Sequence, residues 1–237
     1  MQPTPVLLPG NMCDARLWTA DVRKVLAGAV DGDLTSDDSI AAMAARILLA
    51  NKVDLLPVGF SMGAIVAVEM AVQAPERIVG LVLAGYNATA DLPERAAQRP
   101  VQQAEVSAGG LERVLVEELK PNYLAAKNRS NTALLDLLRD MGMRLGPDVF
   151  LRQSEALRLR EDRRADIAAL KVPVLYLCGS EDALCPPAWH RKWVKQTPQA
   201  HFEEIAGAGH MLPLEAPARF AEVIKQWLKN NQVEFHA

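Results

Sequence analysis

The sequence has few cysteines and no block of basic residues. Its three cysteines, Cys13, Cys178 and Cys185, are scattered and include no CxxC pair, so neither a disulfide framework nor a paired-cysteine zinc site is expected. Lysine and arginine total 26 against 29 acidic residues, a formal net charge of −3, and they form no block that would neutralise phosphates. We therefore expect no nucleic-acid partner.

Long hydrophobic runs are also lacking. The most apolar runs, residues 64–68 and 78–85, fall far short of the ~20 residues that cross a bilayer. The first twenty residues lack the basic start and long apolar middle of a signal peptide. We expect no membrane partner, and because the cysteines show no disulfide pattern we expect a cytoplasmic location.

The composition is typical of a globular protein with a sizeable core. Half of the 237 residues are hydrophobic and 23% are charged. Because α/β folds of about 200–250 residues often form a single core, one core with an insertion fits this length.

Short apolar runs alternate with helical patterns along the chain. Strands are predicted at 4–8, within 27–34, and at 53–60, 78–84, 173–178 and 201–205, and helices at 39–50, 62–74 and 218–229. This alternation favours parallel strand pairing with helices on both faces, so we predict an α/β fold. Because Pro57 cannot donate to a ladder, its strand is expected to begin late or to contain a bulge.

Residues 88–165 differ from the rest of the chain. β-Branched runs disappear there and leucines recur with helical spacing, so we predict a helical cap inserted into a core of residues 1–87 and 166–237. The abundant leucine and alanine of the cap predict an apolar pocket. The mixed-charge run 158–164 is expected to be a solvated helix end rather than an anion site.

The segment Gly59-Phe60-Ser61-Met62-Gly63 matches the G-x-S-x-G nucleophile elbow, a sharp turn between a strand and a helix. It follows a predicted strand and opens a predicted helix, which is the context that the motif requires. Side chains at the two glycine positions would collide with neighbouring backbone at so sharp a turn. The pattern predicts that Ser61 is a nucleophile.

A serine nucleophile needs a base, and a histidine base needs a carboxylate that orients it. Of the four histidines, His210 alone lies in a glycine-containing loop after a predicted strand. Taken alone, His210 is explained equally well as a loop histidine that bonds to backbone and has no catalytic role. Asp182 follows the strand at 173–178, and the order Ser61, Asp182, His210 is the order that this motif uses. Together the three residues predict a catalytic triad.

These motifs resemble the α/β-hydrolase superfamily, in particular its small serine esterases with a helical cap. The tail from Gly207 to Phe220 is similar to the family's histidine loop and final helix, and residues 172–182 are similar to its acid strand. The resemblance implies an oxyanion hole formed by the backbone N–H groups of Asn11 and Met62, although Pro9 replaces the usual histidine. The strands that often precede this point are missing, so about six strands are expected rather than eight.

The expected activity is hydrolysis of a small, apolar ester through an acyl-enzyme, without a metal or a cofactor. The expected partner is therefore a small-molecule ester. Related serine-triad reactions remain open, namely carbon–carbon bond hydrolysis, lactonase, thioesterase or perhydrolase chemistry. A protein that keeps the fold but binds a ligand without turnover is the alternative from another class.

Overall fold

A computed structural model describes residues 3–119 and 123–233 of the chain. Within those residues the sheet has six strands, all paired in parallel, in the order β2-β1-β3-β4-β5-β6. The strands are β1 (Thr4–Leu8), β2 (Val30–Asp31), β3 (Leu55–Phe60), β4 (Leu81–Ala84), β5 (Val174–Gly179) and β6 (Ala200–Ile205). This architecture confirms the predicted α/β fold and its strand number.

Helices cover both faces of the sheet. The helices outside the segment between β4 and β5 are α1 (Ala20–Val25), α2 (Ile40–Ala50), α3 (Met62–Gln73), α8 (Pro187–Gln196), α9 (Leu212–Glu215) and α10 (Pro217–Asn230). Ser39 caps α2 by accepting a hydrogen bond from the N–H of Ala42 at 3.2 Å. Helix α3 ends just before Pro75, as the sequence predicts.

The core consists of two apolar layers separated by the sheet. Alternate side chains of β1 point to opposite layers: Val6 and Leu8 pack with α2 and α3, whereas Leu7 packs with α1 and α10. All six residues of β3 and all four of β4 are buried. The central strands therefore end in a well-packed edge, where loops can hold side chains in fixed positions.

Among the described residues between β4 and β5 there are four α-helices. They are α4 (Pro93–Ser107), α5 (Leu111–Arg113), which continues as a π-helical turn over Val114–Leu119, α6 (Thr132–Arg158) and α7 (Arg164–Ala169). Helix α6 is kinked at Gly146, which has a φ of 82° and precedes Pro147. Apolar side chains of this segment form a small cluster of their own, which Met12 joins from the core.

Pro57 lies inside β3, which begins two residues later than the predicted start at residue 53. Strand β3 begins at Leu55 and pairs in unbroken register with β1, where Pro57 lies opposite Val6. Continuous pairing with β4 begins only at Val58. The proline is tolerated because its missing N–H falls where the β3–β4 ladder is interrupted, between the Leu55–Ile78 bridge and the Val58–Val82 pair.

The run 158–164 is not uniformly solvated, which corrects the expectation of a solvated helix end. Arg160 is 8% exposed and pairs with Asp91 at 2.9 Å. Arg163 pairs with Glu69 of α3, a residue that is itself buried. Both partners come from distant parts of the chain, so the local charge pattern contains no sign of this burial.

No helix in the described ranges combines the length and apolarity needed to cross a membrane.

Candidate active site

Ser61 occupies a sharp turn between β3 and α3. Its backbone has a φ of 52° and a ψ of −113°, a region that residues with a side chain rarely adopt. The N–H of Ser61 donates to the carbonyl of Ala84 at the end of β4, at 2.8 Å. This bond fixes the turn at the carboxyl edge of the sheet, with the Ser61 side chain partly exposed.

The two glycines of the elbow are required for steric reasons. A Cβ at Gly59 would lie 2.4 Å from the carbonyl oxygen of Gly63. A Cβ at Gly63 would lie 2.0 Å from the carbonyl oxygen of Leu8 and 2.6 Å from that of Pro9. A side chain at either position would therefore collide with backbone, as the motif predicts. At Gly63 the absence of a side chain lets the elbow pack directly against the end of β1.

The structure brings Ser61, His210 and Asp182 into one hydrogen-bonded chain. His210 Nε2 lies 3.0 Å from Ser61 Oγ, and His210 Nδ1 lies 2.8 Å from Asp182 Oδ2. The side chain of His210 is 4% exposed and that of Asp182 is fully buried. The arrangement has the order and the contacts of a nucleophile, a base and an orienting acid.

Asp182 is held as a carboxylate. Its Oδ1 accepts hydrogen bonds from the N–H groups of Leu184 at 2.9 Å and Cys185 at 2.8 Å. Burial acts to raise the pKa of Asp182, but the His210 ring and the Cys185 amide outweigh it and hold the pKa below its ordinary value. An ionised Asp182 accepts from Nδ1–H, which leaves Nε2 of His210 free to accept the Ser61 proton.

Glu181, the neighbouring carboxylate, is exposed and bonds to a different part of the chain. Its Oε2 accepts a hydrogen bond from the N–H of Ala126 at 2.8 Å. Asp182 is therefore the carboxylate of this turn that is bonded to His210.

Glu215 holds the His210 loop, and no sequence motif indicated this role. Its Oε1 accepts from the N–H of Gly209 at 2.9 Å, and its Oε2 accepts from the N–H of Ala125 at 2.8 Å. The same oxygen accepts from Asn128 Nδ2 at 2.9 Å. One carboxylate therefore fastens the histidine loop to the chain between α5 and α6.

The predicted oxyanion donors, Asn11 and Met62, both line the cavity that contains Ser61. Neither backbone N–H has a hydrogen-bond partner in the described part of the chain. Both are therefore available to a substrate oxygen. The contact between Gly63 and the end of β1 keeps the two turns adjacent.

Gln153 of α6 fixes the turn that contains Asn11. Its Oε1 accepts from Asn11 Nδ2 at 3.1 Å and from the N–H of Met12 at 2.8 Å. Its Nε2 donates to the carbonyl of Leu34 at 2.9 Å, and the residue is 1% exposed. Sequence reasoning missed Gln153, because 141 residues separate it from Met12 and a glutamine in a helix is ordinarily solvated.

The cavity around Ser61 and His210 has a volume of about 440 Å³. Its wall is mixed rather than apolar, which corrects the pocket expected from the leucine and alanine content of the cap. Apolar or sulfur-containing residues of the wall include Cys13, Phe60, Ile65, Leu119, Leu157, Cys185 and Met211. Polar and charged residues of the wall include Asn87, Arg95, Gln98, Arg99, Gln102, Glu118 and Arg160.

In the described ranges, no group of three or more His, Cys, Asp or Glu side chains is arranged to hold a metal ion.

The remaining histidines lie outside the triad. His201 is exposed and pairs with Glu203, and His236 lies outside the described residues. His190 is fully buried: its Nε2 accepts from the N–H of Tyr86 at 3.0 Å, and its Nδ1 faces the carbonyl of Pro186 at 3.3 Å. The Tyr86 bond requires an unprotonated Nε2, so His190 is neutral with its proton on Nδ1.

His190 makes the stability of the protein depend on pH. Burial lowers the pKa of His190 from 6.5 to about 4. As the pH falls, His190 of the unfolded chain binds a proton near pH 6.5, whereas His190 of the folded chain does not bind one until about pH 4. Between these two pH values the free energy of unfolding therefore decreases as the pH falls. We expect this residue to cost about 2 kcal/mol of unfolding free energy between pH 7.5 and pH 5.

Denaturant unfolding of wild type and His190→Gln at both pH values measures this cost. Glutamine can accept the Tyr86 hydrogen bond but does not titrate, so the variant is expected to lose less stability on acidification than wild type does. Equal losses in the two proteins would show that His190 is not the titrating group.

Comparison with known proteins identifies the family. Residues 6–223 match the alpha/beta hydrolase family. The chain is 24% identical over 258 residues to the biotin biosynthesis bifunctional protein BioHC of Cellvibrio japonicus. This match covers 95% of the chain but only 47% of that protein. The chain thus spans about half the length of this relative.

Solved structures of the same fold include two hydrolytic enzymes. A thermophilic esterase from Thermogutta terrifontis is 26% identical with a TM-score of 0.88, over 97% of this chain and 91% of that one. The enol-lactonase from Burkholderia xenovorans is 20% identical with a TM-score of 0.82, over 97% and 92% of the two chains. The family match spans nearly the whole chain, and the protein belongs to the alpha/beta hydrolase family.

Proposed function

We propose that this protein is a serine hydrolase that cleaves a small ester by acyl transfer. The observation that carries the proposal is the unbroken chain from Asp182 through His210 to Ser61, with contacts of 2.8 and 3.0 Å. The family match and the related esterase are consistent with this chemistry. A fold alone would not be sufficient, because one fold hosts many functions.

In the proposed mechanism each residue of the site has a role. Ser61 Oγ attacks the ester carbonyl while His210 Nε2 takes its proton, and Asp182 stabilises the imidazolium that forms. The N–H groups of Asn11 and Met62 donate to the oxygen of the tetrahedral intermediate. His210 then gives the proton to the leaving alcohol, and an acyl-Ser61 ester remains.

The second half of the reaction repeats the same steps with water. His210 accepts a proton from the water that attacks the acyl carbonyl, and it returns that proton to Ser61 Oγ as the acid leaves. Each proton taken up by His210 is released in the same half-reaction. The residues described therefore suffice for a complete cycle without a metal or a redox cofactor.

We further propose that residues 88–165 form a cap on the core of residues 1–87 and 166–237 and determine substrate choice. Helix α4 contributes several polar side chains to the wall of the cavity, and Gln153 of α6 fixes the oxyanion turn. The segment thus supplies part of the cavity wall and holds the turn that contains Asn11.

Turnover of a nitrophenyl ester tests the proposed function. Purified protein is expected to release nitrophenolate from 4-nitrophenyl butyrate catalytically, with many turnovers per chain, and dialysis against a chelator should leave the rate unchanged. Loss of activity that added zinc or manganese restores would contradict the mechanism. If short esters such as 4-nitrophenyl butyrate bind tightly but are not turned over, a non-catalytic role is favoured instead.

A further inference from the structure

One face of α4 supplies polar groups to the cavity beside Ser61. Arg95, Gln98, Arg99 and Gln102 follow one another at spacings of three, one and three residues, and all four line the cavity. This spacing places them on a single helix face. A purely apolar ester would offer this polar wall no hydrogen-bond partner.

The positive charge on this wall is only partly neutralised by protein carboxylates. The carboxylate of Asp91 is shared between Arg99 Nε at 2.6 Å and Arg160 Nη1 at 2.9 Å. The side chain of Arg160 is 5% exposed and also donates to the carbonyl of Thr89 at 3.0 Å, so its hydrogen-bond donors already have partners in the protein. The terminal nitrogens of Arg99 have no hydrogen-bond partner within the described residues.

Arg95 lies beside the turn that holds the triad acid. Its Nη2 donates to the carbonyl of Leu184 at 3.3 Å, and the N–H of Leu184 donates to Asp182. No carboxylate of the described residues lies within salt-bridge distance of Arg95. Glu118 lines the same cavity but is bonded to Gln102 at 2.9 Å and to Arg113 at 2.7 Å.

Asn87 adds an unsatisfied donor to the same cavity. It is 6% exposed, and its Oδ1 accepts from the N–H of Thr89 at 3.1 Å. Its buried Nδ2 has no partner among the described residues. Buried donors are costly to leave without an acceptor, so this amide is a donor that an acceptor group in the cavity can satisfy.

We propose that the substrate carries a carboxylate remote from the scissile ester, and that Arg95, Arg99 and Asn87 bind it. The planar guanidinium groups of arginine match a carboxylate geometrically, and both arginines are half-buried, where a charge-assisted bond is screened less than at the open surface. The proposal rests on the proposed function, because it names the substrate class of the same site. It replaces the apolar ester expected from the sequence with a half-ester of a dicarboxylic acid or an ester of a hydroxy acid.

Matched ester pairs test the carboxylate. The acyl-side pair is mono-4-nitrophenyl adipate and its methyl ester, and the alcohol-side pair is 4-carboxyphenyl butyrate and its methyl ester. Wild type is expected to favour the charged member of one pair by about tenfold or more in kcat/KM, since hydrogen bonds to charged groups typically contribute that much.

The same ratio is then measured in variants. Arg95→Gln and Arg99→Gln are each expected to lower the charged-to-neutral ratio by about tenfold. Arg144→Gln is the matched control, because its side chain on α6 is 70% exposed and the change removes the same charge. Arg95→Gln is the decisive variant should the loss of the Asp91 contact prevent Arg99→Gln from folding.

The outcomes separate this proposal from the proposed function. A wild-type ratio near one in both pairs, or a ratio that Arg95→Gln leaves unchanged, would overturn the carboxylate site while ester hydrolysis stands. Should no ester be hydrolysed, calorimetry on Ser61→Ala with monomethyl and dimethyl adipate decides the matter. Preferential binding of monomethyl adipate that Arg95→Gln abolishes would support the carboxylate site, and equal binding of the two would refute it.

Discussion

Replacing Ser61 with alanine is expected to lower kcat for ester hydrolysis by about 10⁴–10⁶-fold. The substitution removes the atom that forms the acyl-enzyme, so the remaining rate comes from the oxyanion donors and from binding alone. The fold should persist, because the Ser61 side chain caps no helix and the N–H bond to Ala84 is retained. Steady-state kinetics on 4-nitrophenyl butyrate, with a circular dichroism spectrum of each protein, measures both effects.

Histidine variants provide the matched comparison. His210→Ala should cause a loss of similar size, because the base and the nucleophile act as one unit and their effects do not add. His201→Ala should retain the wild-type rate, since His201 is exposed and pairs with Glu203. Near-normal turnover in Ser61→Ala or in His210→Ala would place the reaction elsewhere in the protein.

Replacing Gly63 with alanine is expected to destabilise the protein by about 3 kcal/mol or more. The added Cβ would lie 2.0 Å from the carbonyl oxygen of Leu8, and backbone cannot rotate away as a side chain can. Strand β1 and helix α3 must then separate at the elbow. Because domains are stable by only about 5–15 kcal/mol, this loss is a large fraction of the total.

Gly109 serves as a control that separates the effect of a steric collision from the effect of backbone strain. Gly109 has a φ of 96°, and a Cβ there would meet no atom within 4 Å, so Gly109→Ala should cost only about 1–2 kcal/mol. Urea unfolding of wild type and the two variants gives the comparison. A Gly63→Ala protein as stable as Gly109→Ala would show that the elbow is not tightly packed against β1.

The fold could be predicted from the sequence because its local signals agree with one another. The central strands β3, β4 and β5 are continuous apolar runs buried on both faces, and the helices carry their caps and proline stops, as at Ser39 and Pro75. The positions of Ser61, Asp182 and His210 follow from the same reasoning, because each comes directly after a strand and parallel strands end at one edge. The domain boundaries and the catalytic roles stay predictions.

The supporting groups could not be predicted, because their contacts are long-range. Gln153 reaches a turn 141 residues away, and Glu215 joins two loops separated by about 90 residues. The sequence around Arg160 predicts a solvated helix end, yet its side chain is buried in an ion pair with Asp91, which lies 69 residues earlier. The pocket wall was expected to be apolar from composition, whereas the helix face at Arg95 and Arg99 determines its chemistry.

The most direct test of the account is the intact mass of the protein after incubation with a fluorophosphonate. Such reagents phosphonylate a serine only when an adjacent base activates it, which the 3.0 Å contact between His210 and Ser61 provides. One adduct per chain on wild type and none on Ser61→Ala is the expected result. An unmodified wild type, or an adduct that persists in Ser61→Ala, would contradict the assignment of Ser61 as the nucleophile.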